Sequence, residues 1–367
     1  MRVLLVTPYP VDPAHGEVDA ARFGGVEVAI GRIARGLARR GHDVTVLASG
    51  ARDDAREEDG VRHVRVRRAG TLFGTPLAHG FRHLPPADVV HVTATYPGVS
   101  EVVVRAARRR GTPVVLDYHF DGRAAGPLGA AAASAYYAAA SRALAGADLV
   151  LAKSASYAAA SAFLRRLPQD RLAIVPNGVD PEAFPVGTGP REGVVCVGRL
   201  VPYKGVETLV RAAALLARRR DVPVRVAGDG PLRAPLARLA ARLDAPVTLL
   251  GRVPARDLPA FYGSAAATAL PSVNGQEAFG ICLVESLASG TPVVASDLPG
   301  VRDVAGLGGV VVPPRDPHAL ARGIEAVLDR PPAPPVELAR RAAEAYDWEH
   351  VLDRIEAAHA RAAGAPA

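Results

Sequence analysis

Two glutamates, Glu277 and Glu285, stand eight residues apart in Pro271–Gly300, PSVNGQEAFGICLVESLASGTPVVASDLPG. On one continuous helix that spacing would turn them about 80° from each other, so they would not form a tight acid pair. With Glu277 in a loop and Glu285 in the first turns of a helix, the two carboxylates could instead reach different parts of one elongated ligand. Between them, the backbone N–H groups of Phe279, Gly280 and Ile281 would open the helix, where unpaired donors and the helix dipole attract phosphate. Gly290-Thr-Pro292 stops that helix, and Val293–Ala295 reads as a short apolar strand. Without a ligand, Glu277 would serve as a helix-capping carboxylate and Glu285 as an ordinary exposed helix residue.

Two cations lie upstream in Gly198-Arg-Leu-Val-Pro-Tyr-Lys-Gly205, directly after the apolar run Val194–Val197. Arg199 offers a bidentate fork to a diphosphate and Lys204 a mobile point charge. Asp117-Tyr-His-Phe-Asp121 follows another apolar run, and extended geometry would put Asp117, His119 and Asp121 on one face. A metal triad is one use of that face, but strand-end carboxylates more commonly satisfy backbone or arginine. His91 is a weaker candidate of the same kind. Phe23-Gly24-Gly25 stands at a helix entrance, where glycine allows close backbone approach to a ligand. Gly228-Asp-Gly-Pro-Leu232 reads as a structural turn that Asp229 supports through its own backbone. Arg252, in Gly251-Arg-Val-Pro254, is a candidate of low specificity.

The elements needed to hold these groups recur in order. Val3–Thr7 suits a central parallel strand, Val26–Arg40 has helical spacing, and Val44–Ala48 is apolar again, which makes a βαβ unit. Val61–Arg67, the strand led by Asp88–His91, the helix Val99–Arg110 and the strands Thr112–Leu116, Ala147–Ala152 and Leu172–Val175 continue a doubly wound pattern. Ala130–Ala147 reads as a soluble helix with a small-residue face. After the Gly- and Pro-rich stretch Val186–Gly193 a second series starts at Val194. Its strands are Val194–Val197, Val224–Ala227, Val247–Leu250, Ala266–Leu270, Val293–Ala295 and Gly309–Val312, with helices Val206–Arg220 and Leu232–Leu243 between them. Trp348–Ala363 closes the chain as a helix. The expectation is an α/β fold of two Rossmann-like domains, residues 1–185 and 186–345, facing a ligand cleft at the carboxyl ends of their strands.

Glu277-Ala-Phe-Gly-Ile-Cys-Leu-Val-Glu285, the Gly198–Gly205 stretch, the Gly24-Gly25 pair and the Pro176-Asn-Gly-Val-Asp180 turn together resemble the retaining glycosyltransferase family 4, the group 1 glycosyl transferases. That resemblance implies the GT-B fold, with residues 346–367 returning to the first domain. It implies a sugar transferred from a nucleoside-diphosphate donor to an acceptor hydroxyl, without a required metal or other cofactor. Arg199, Lys204 and the N–H groups of Phe279, Gly280 and Ile281 would then hold the diphosphate, and Glu285 the ribose. Glu277 would hold the transferred sugar, His119 would lie near that sugar, Gly24 and Gly25 would approach the donor, and Arg252 would lie near the base. A UDP-sugar is preferred over a GDP-sugar on family breadth. The acceptor would be a small metabolite, an antibiotic precursor or a lipid-linked glycan. A sugar-nucleotide epimerase and a non-catalytic sugar-nucleotide-binding protein are the alternatives.

Composition agrees with a folded enzyme of two ordinary domains. Of 367 residues, 49% are hydrophobic and 22% charged, and the formal charge of +7 comes mostly from dispersed arginine. No nucleic-acid partner is expected. Arg62–Arg68 and Arg108–Arg110 leave weak peripheral contact with anionic lipid as a further option, at the inner face of the membrane. Two cysteines, Cys196 and Cys282, in apolar surroundings and an amino terminus too short for a secretory segment point to the cytoplasm.

Overall fold

The computed structural model describes residues 1–11, 25–72, 74–94, 96–121, 136 and 138–364. Gly24 and residues 130–135 and 137 of the Ala-rich tract lie outside the described residues, while residues 138–144 are helical. Contacts divide the chain into two units, Met1–Pro176 with Glu349–Ala367, and Asn177–Trp348.

The first unit is built on β1 (Arg2–Val6), β2 (Asp43–Gly50), β3 (Asp54–Glu58), β4 (Val61–Leu72), β5 (Thr75–Ala78), β6 (Val89–Thr93), β7 (Val114–Tyr118), β8 (Leu149–Ala152) and β9 (Leu172–Ile174). They stand in the order β3-β4-β2-β1-β6-β7-β8-β9, with β5 paired on β4. From β4 to β9 all neighbours are parallel. Strands β6, β7 and β8 are buried along their whole length in a sheet covered on both faces; β8 is an unbroken apolar run, whereas β6 and β7 also bury His91, Thr93 and Asp117. The antiparallel additions β3 and β5 are absent from the sequence reading. Strand β3 is Asp-Ala-Arg-Glu-Glu, an edge strand whose charges carry no apolar periodicity.

From Glu349 onward the helix Trp348–Ala362 belongs to this unit. Arg40, at the end of helix Gly25–Arg39, meets Glu349 at 2.6 Å and Asp353 at 2.8 Å, and also pairs with Glu356. His42 Nε2 lies 2.7 Å from Glu356. Carboxylates three or four residues apart share one helix face, so a single guanidinium can meet them in sequence.

The second unit holds β10 (Val194–Val197), β11 (Val224–Ala227), β12 (Val247–Gly251), β13 (Ala267–Leu270), β14 (Val293–Ser296) and β15 (Gly309–Val312). Their order is β12-β11-β10-β13-β14-β15 and every pair is parallel. Alternation along β10 feeds two cores, Val194 and Cys196 into one and Val195 into the other. The order reverses between β10 and β13, which leaves a crevice at the carboxyl ends of those two strands.

Candidate active site

The loops that leave β10 and β13 meet at this reversal. Pro202–Lys204 forms a single 3₁₀ turn after β10, and Gly205 ends it at φ 64°. A Cβ on Gly205 would stand 2.0 Å from the Pro271 carbonyl oxygen, so only glycine lets the two loops touch. The Val273 N–H donates to the Tyr203 carbonyl at 2.8 Å and fixes their register. This junction delivers Lys204 to Glu277, with Nζ 2.5 Å from Oε2, and the Ser272 hydroxyl donates to the same oxygen at 3.1 Å. The side chains are only 16% and 10% exposed, so the attraction is weakly screened. Burial works to lower the Lys204 pKa, but the adjacent carboxylate outweighs it and holds the ammonium charged.

Glu277 lies in the loop and Glu285 in the helix Ile281–Ala288. Gly280 precedes that helix at φ 85°, a left-handed turn that aims the first N–H groups out of the loop. The Phe279 side chain is buried edge-on against Tyr346, 5.4 Å between ring centres, which leaves only its backbone to face a ligand. Ile281 and Glu285 are half-buried. The Tyr262 hydroxyl donates to Glu285 Oε2 at 2.8 Å. Burial pushes the Glu285 pKa up to about 7, against the opposing pull of the Tyr262 hydrogen bond and the Lys204 charge. Glu285 therefore sits near its midpoint at neutral pH.

Arg199 is exposed, with Nη2 3.4 Å from the Tyr203 hydroxyl on the Lys204 turn. Arg252 is exposed just after β12. Asp229 accepts the Gly230 N–H at 2.8 Å and so braces its turn. The Gly228 N–H donates to the Gly251 carbonyl at 2.7 Å, which ties the loops after β11 and β12 together.

The remaining candidates belong to the first unit. Gly25 is the exposed first residue of its helix. His119 is buried, with Nε2 3.1 Å from Asp117 Oδ2. Asp121 does not join them, and the expected common face fails because β7 ends at Tyr118. Asp121 instead accepts from the Tyr118 hydroxyl at 2.6 Å and the Ser161 hydroxyl at 2.9 Å. In its place two residues outside the sequence reading gather on Asp117. Lys153, just past β8, brings Nζ to 2.5 Å from Oδ1, and His359 of the terminal helix stands 2.9 Å from His91, whose Nε2 is 3.5 Å from Asp117 Oδ2. Burial alone would raise the Asp117 pKa, but His119 and Lys153 overcome it and hold the carboxyl well below its usual range. Burial lowers the pKa of His119 and, strongly, that of His359.

One signal in the sequence could have found Lys153. Lys153 and Lys204 are the chain's two lysines among 44 basic residues. Both are largely buried against a carboxylate, where a compact ammonium fits a single oxygen and the wider guanidinium does not. Tyr262 offers no comparable signal, because its partner is set by how helix Leu258–Gly263 packs.

Two family models match the chain, "Glycosyl transferases group 1" over residues 186–346 and "Glycosyl transferase 4-like domain" over residues 24–178. The chain belongs to the group 1 glycosyl transferases. Across 89% of its length it is 29% identical to the GDP-mannose-dependent alpha-(1-6)-phosphatidylinositol dimannoside mannosyltransferase of Mycobacterium tuberculosis, of which it covers 90%. Over 44% of its length it is 32% identical to an uncharacterised glycosyltransferase of Methanocaldococcus jannaschii, and that match spans 46% of the relative, about half its length. Among solved structures, the Anabaena protein HepE in complex with UDP-glucose superposes with a TM-score of 0.75 at 20% identity, over 98% of this chain and 99% of that one. The fold of this group 1 glycosyltransferase is thus GT-B, with two Rossmann-like units. No helix among the described residues is long and apolar enough to cross a membrane.

Proposed function

We propose that this group 1 glycosyltransferase moves a sugar from a nucleoside-diphosphate donor to an acceptor hydroxyl, with retention and without a metal. The observation that carries the reading is the Lys204–Glu277 pair at the strand reversal, beside the opening of the helix that bears Glu285. Cleaving the sugar–phosphate bond leaves charge on the diphosphate while the sugar approaches an oxocarbenium ion. Lys204 has three donors and Glu277 takes one, so the others remain for phosphate oxygens, alongside Arg199 and the N–H groups of Phe279, Gly280 and Ile281. Glu285 accepts the ribose hydroxyls and Glu277 those of the transferred sugar, while Arg252 lies towards the base. On the family resemblance, Gly24 and Gly25 are donor-binding residues and His119 a catalytic one at the sugar. Retention rests on the acidic signature that spans Glu277 and Glu285.

A UDP-sugar is the first choice of donor and a GDP-sugar the second. The UDP-glucose held by the Anabaena protein supports the first, and the GDP-mannose in the name of the mycobacterial relative supports the second. That relative's phosphatidylinositol acceptor favours a lipid-linked glycan over a small metabolite or antibiotic precursor. We place the reaction in the cytoplasm, with the basic first unit able to meet the inner face of the membrane.

A thermal-shift screen against UDP, GDP, ADP and dTDP sugars in EDTA tests the reading. A donor at a hundred times its dissociation constant adds roughly 2.7 kcal/mol of stability. Stabilisation by one nucleotide class in wild type, lost in Lys204→Met, is the expected result. Stabilisation that requires a divalent cation, or that survives in Lys204→Met, overturns the reading.

A further inference from the structure

We propose that Lys153 is a positioning residue for transfer: through Asp117 it fixes His119 in the Nε2–H tautomer, leaving Nδ1 as the acceptor for a sugar hydroxyl. The inference rests on the reading that His119 meets the transferred sugar.

The argument starts from charge. Asp117 is fully buried and touches Lys153, His119 and His91, which come from three different places in the chain. An isolated carboxylate at that depth would take up a proton, so its ionised form depends on a cation held against it. Lys153 is 3% exposed and its ammonium lies 2.5 Å from Oδ1, with no stretch of solvent to screen the pair. The other oxygen, Oδ2, faces the two imidazoles. These ring nitrogens meet Oδ2 at short range without well-aligned hydrogen bonds, so the contacts are governed by charge. A ring nitrogen turned to an anion is favoured when it carries a proton and disfavoured when it presents its lone pair. Each imidazole therefore places its Nε2–H on Asp117.

His91 supplies a consistency check. With its proton on Nε2, its Nδ1 is an acceptor, and His359 Nε2 stands 2.9 Å from that atom. A neutral His359 protonated on Nε2 donates to it, and every contact in the chain His359, His91, Asp117 then carries one proton. Besides Asp117 and Lys153, the buried Glu27 acts on His119 and favours its charged form. His42, which pairs with Glu356 one turn before His359 on the terminal helix, acts on His359 and opposes its protonation. Of these groups Lys153 alone both secures the Asp117 charge and opposes protonation of His119. The tautomer matters because His119 then accepts a hydroxyl proton at Nδ1, whereas the opposite tautomer or an imidazolium could only donate there.

Long-range ¹⁵N–¹H spectra of the full chain labelled at its ten histidines, with His119 assigned by comparison with His119→Gln, read the tautomer directly in the ligand-free protein. The expected pattern is an Nε2-protonated, uncharged His119 at pH 7. An Nδ1-protonated or charged ring overturns the proposal. Lys153→Met is expected to lower kcat roughly tenfold to a hundredfold, by analogy with the loss of a partner that orients a metal-bound imidazole, with little change in donor KM. Its acidic limb of kcat should move to lower pH, because Asp117 loses the cation that keeps it ionised and no longer favours a charged His119. The double variant Asp117→Asn/Lys153→Met removes both buried charges, so it should regain stability that the single variant lost while kcat stays low. Recovery of kcat together with stability would make Lys153 purely structural and overturn the proposal. Full activity in His119→Gln would overturn both the positioning role and the sugar contact on which it rests, whereas the spectrum of the free protein tests the tautomer apart from any donor.

Discussion

The two units solve the problem of holding charge in a protein in opposite ways. In the second, Lys204, Glu277 and Glu285 sit on two loops and one helix start at the reversal between β10 and β13, partly open to solvent. In the first, Asp117, Lys153, His91, His119 and His359 come from β6, the end of β7 and the residue after it, the residue after β8, and the terminal helix, and are closed off from water. An open site can leave a carboxylate poised, as Glu285 is at about 7, because a ligand will later supply its partners. A closed site must balance its own charges during folding. The difference extends to pH. Glu285 has a raised pKa, so its contribution to stability is complete below about 4.5 and is lost as pH rises towards 7. His119 and His359 have lowered pKa values, so theirs is present above the ordinary histidine value of 6.5 and is lost as pH falls below it.

The strongest test of that contrast is Asp117→Asn. It leaves Lys153 buried without a counter-charge, and breaking one side of such a pair costs roughly 3–5 kcal/mol. Urea melts at pH 7 should show that loss. The wild-type chain should also lose an Asp117 contribution as pH falls below about 3.8, and the variant should lack this component because Asn does not titrate. A variant as stable as wild type would mean that the closed cluster is not balanced by charge.

Glu285→Gln should move stability the other way. Gln keeps an acceptor for the Tyr262 hydroxyl but carries no charge to desolvate. Melting temperature should be unchanged at pH 4.5 and higher than wild type at pH 8, with each kcal/mol worth about 2–4 °C in a unit of this size. Donor binding should weaken in the same variant, the usual trade of stability against function. An equal effect at both pH values would show that Glu285 is not held near neutrality.

Arg199→Ala should change stability least, within about 0.5 kcal/mol, because the side chain is exposed. Its effect should fall on donor affinity, and more so at low salt, where exposed charges act at longer range. A large stability loss with unaltered donor affinity would place Arg199 in the scaffold and remove it from the open site.

Much of this arrangement was legible before folding. The apolar runs Val194–Val197 and Val293–Ala295 mark buried parallel strands because no polar alternation interrupts them. The stretch from Glu277 to Glu285 is local, so one loop and the helix after it place both carboxylates. The hairpin strand β3 was not legible, since its five residues are almost all charged and only pairing with β4 makes them a strand. Asp121 misled for a related reason: the period-two rule assumes that the strand continues, and β7 stops at Tyr118.

The sequence by itself determined the strands, the turns and the chemical groups of the open site, because each depends on residues near one another along the chain. Tertiary structure alone decided what surrounds Asp117. Residues 91, 153 and 359 share no local pattern with Asp117 and His119, and only the parallel order of β6, β7 and β8 with the terminal helix brings them together. It also decided that Tyr262 meets Glu285, that Lys153 is buried and that Lys204 is largely so. Proximity across hundreds of residues sets the strength of a buried charge, and that proximity exists only once the sheet is formed.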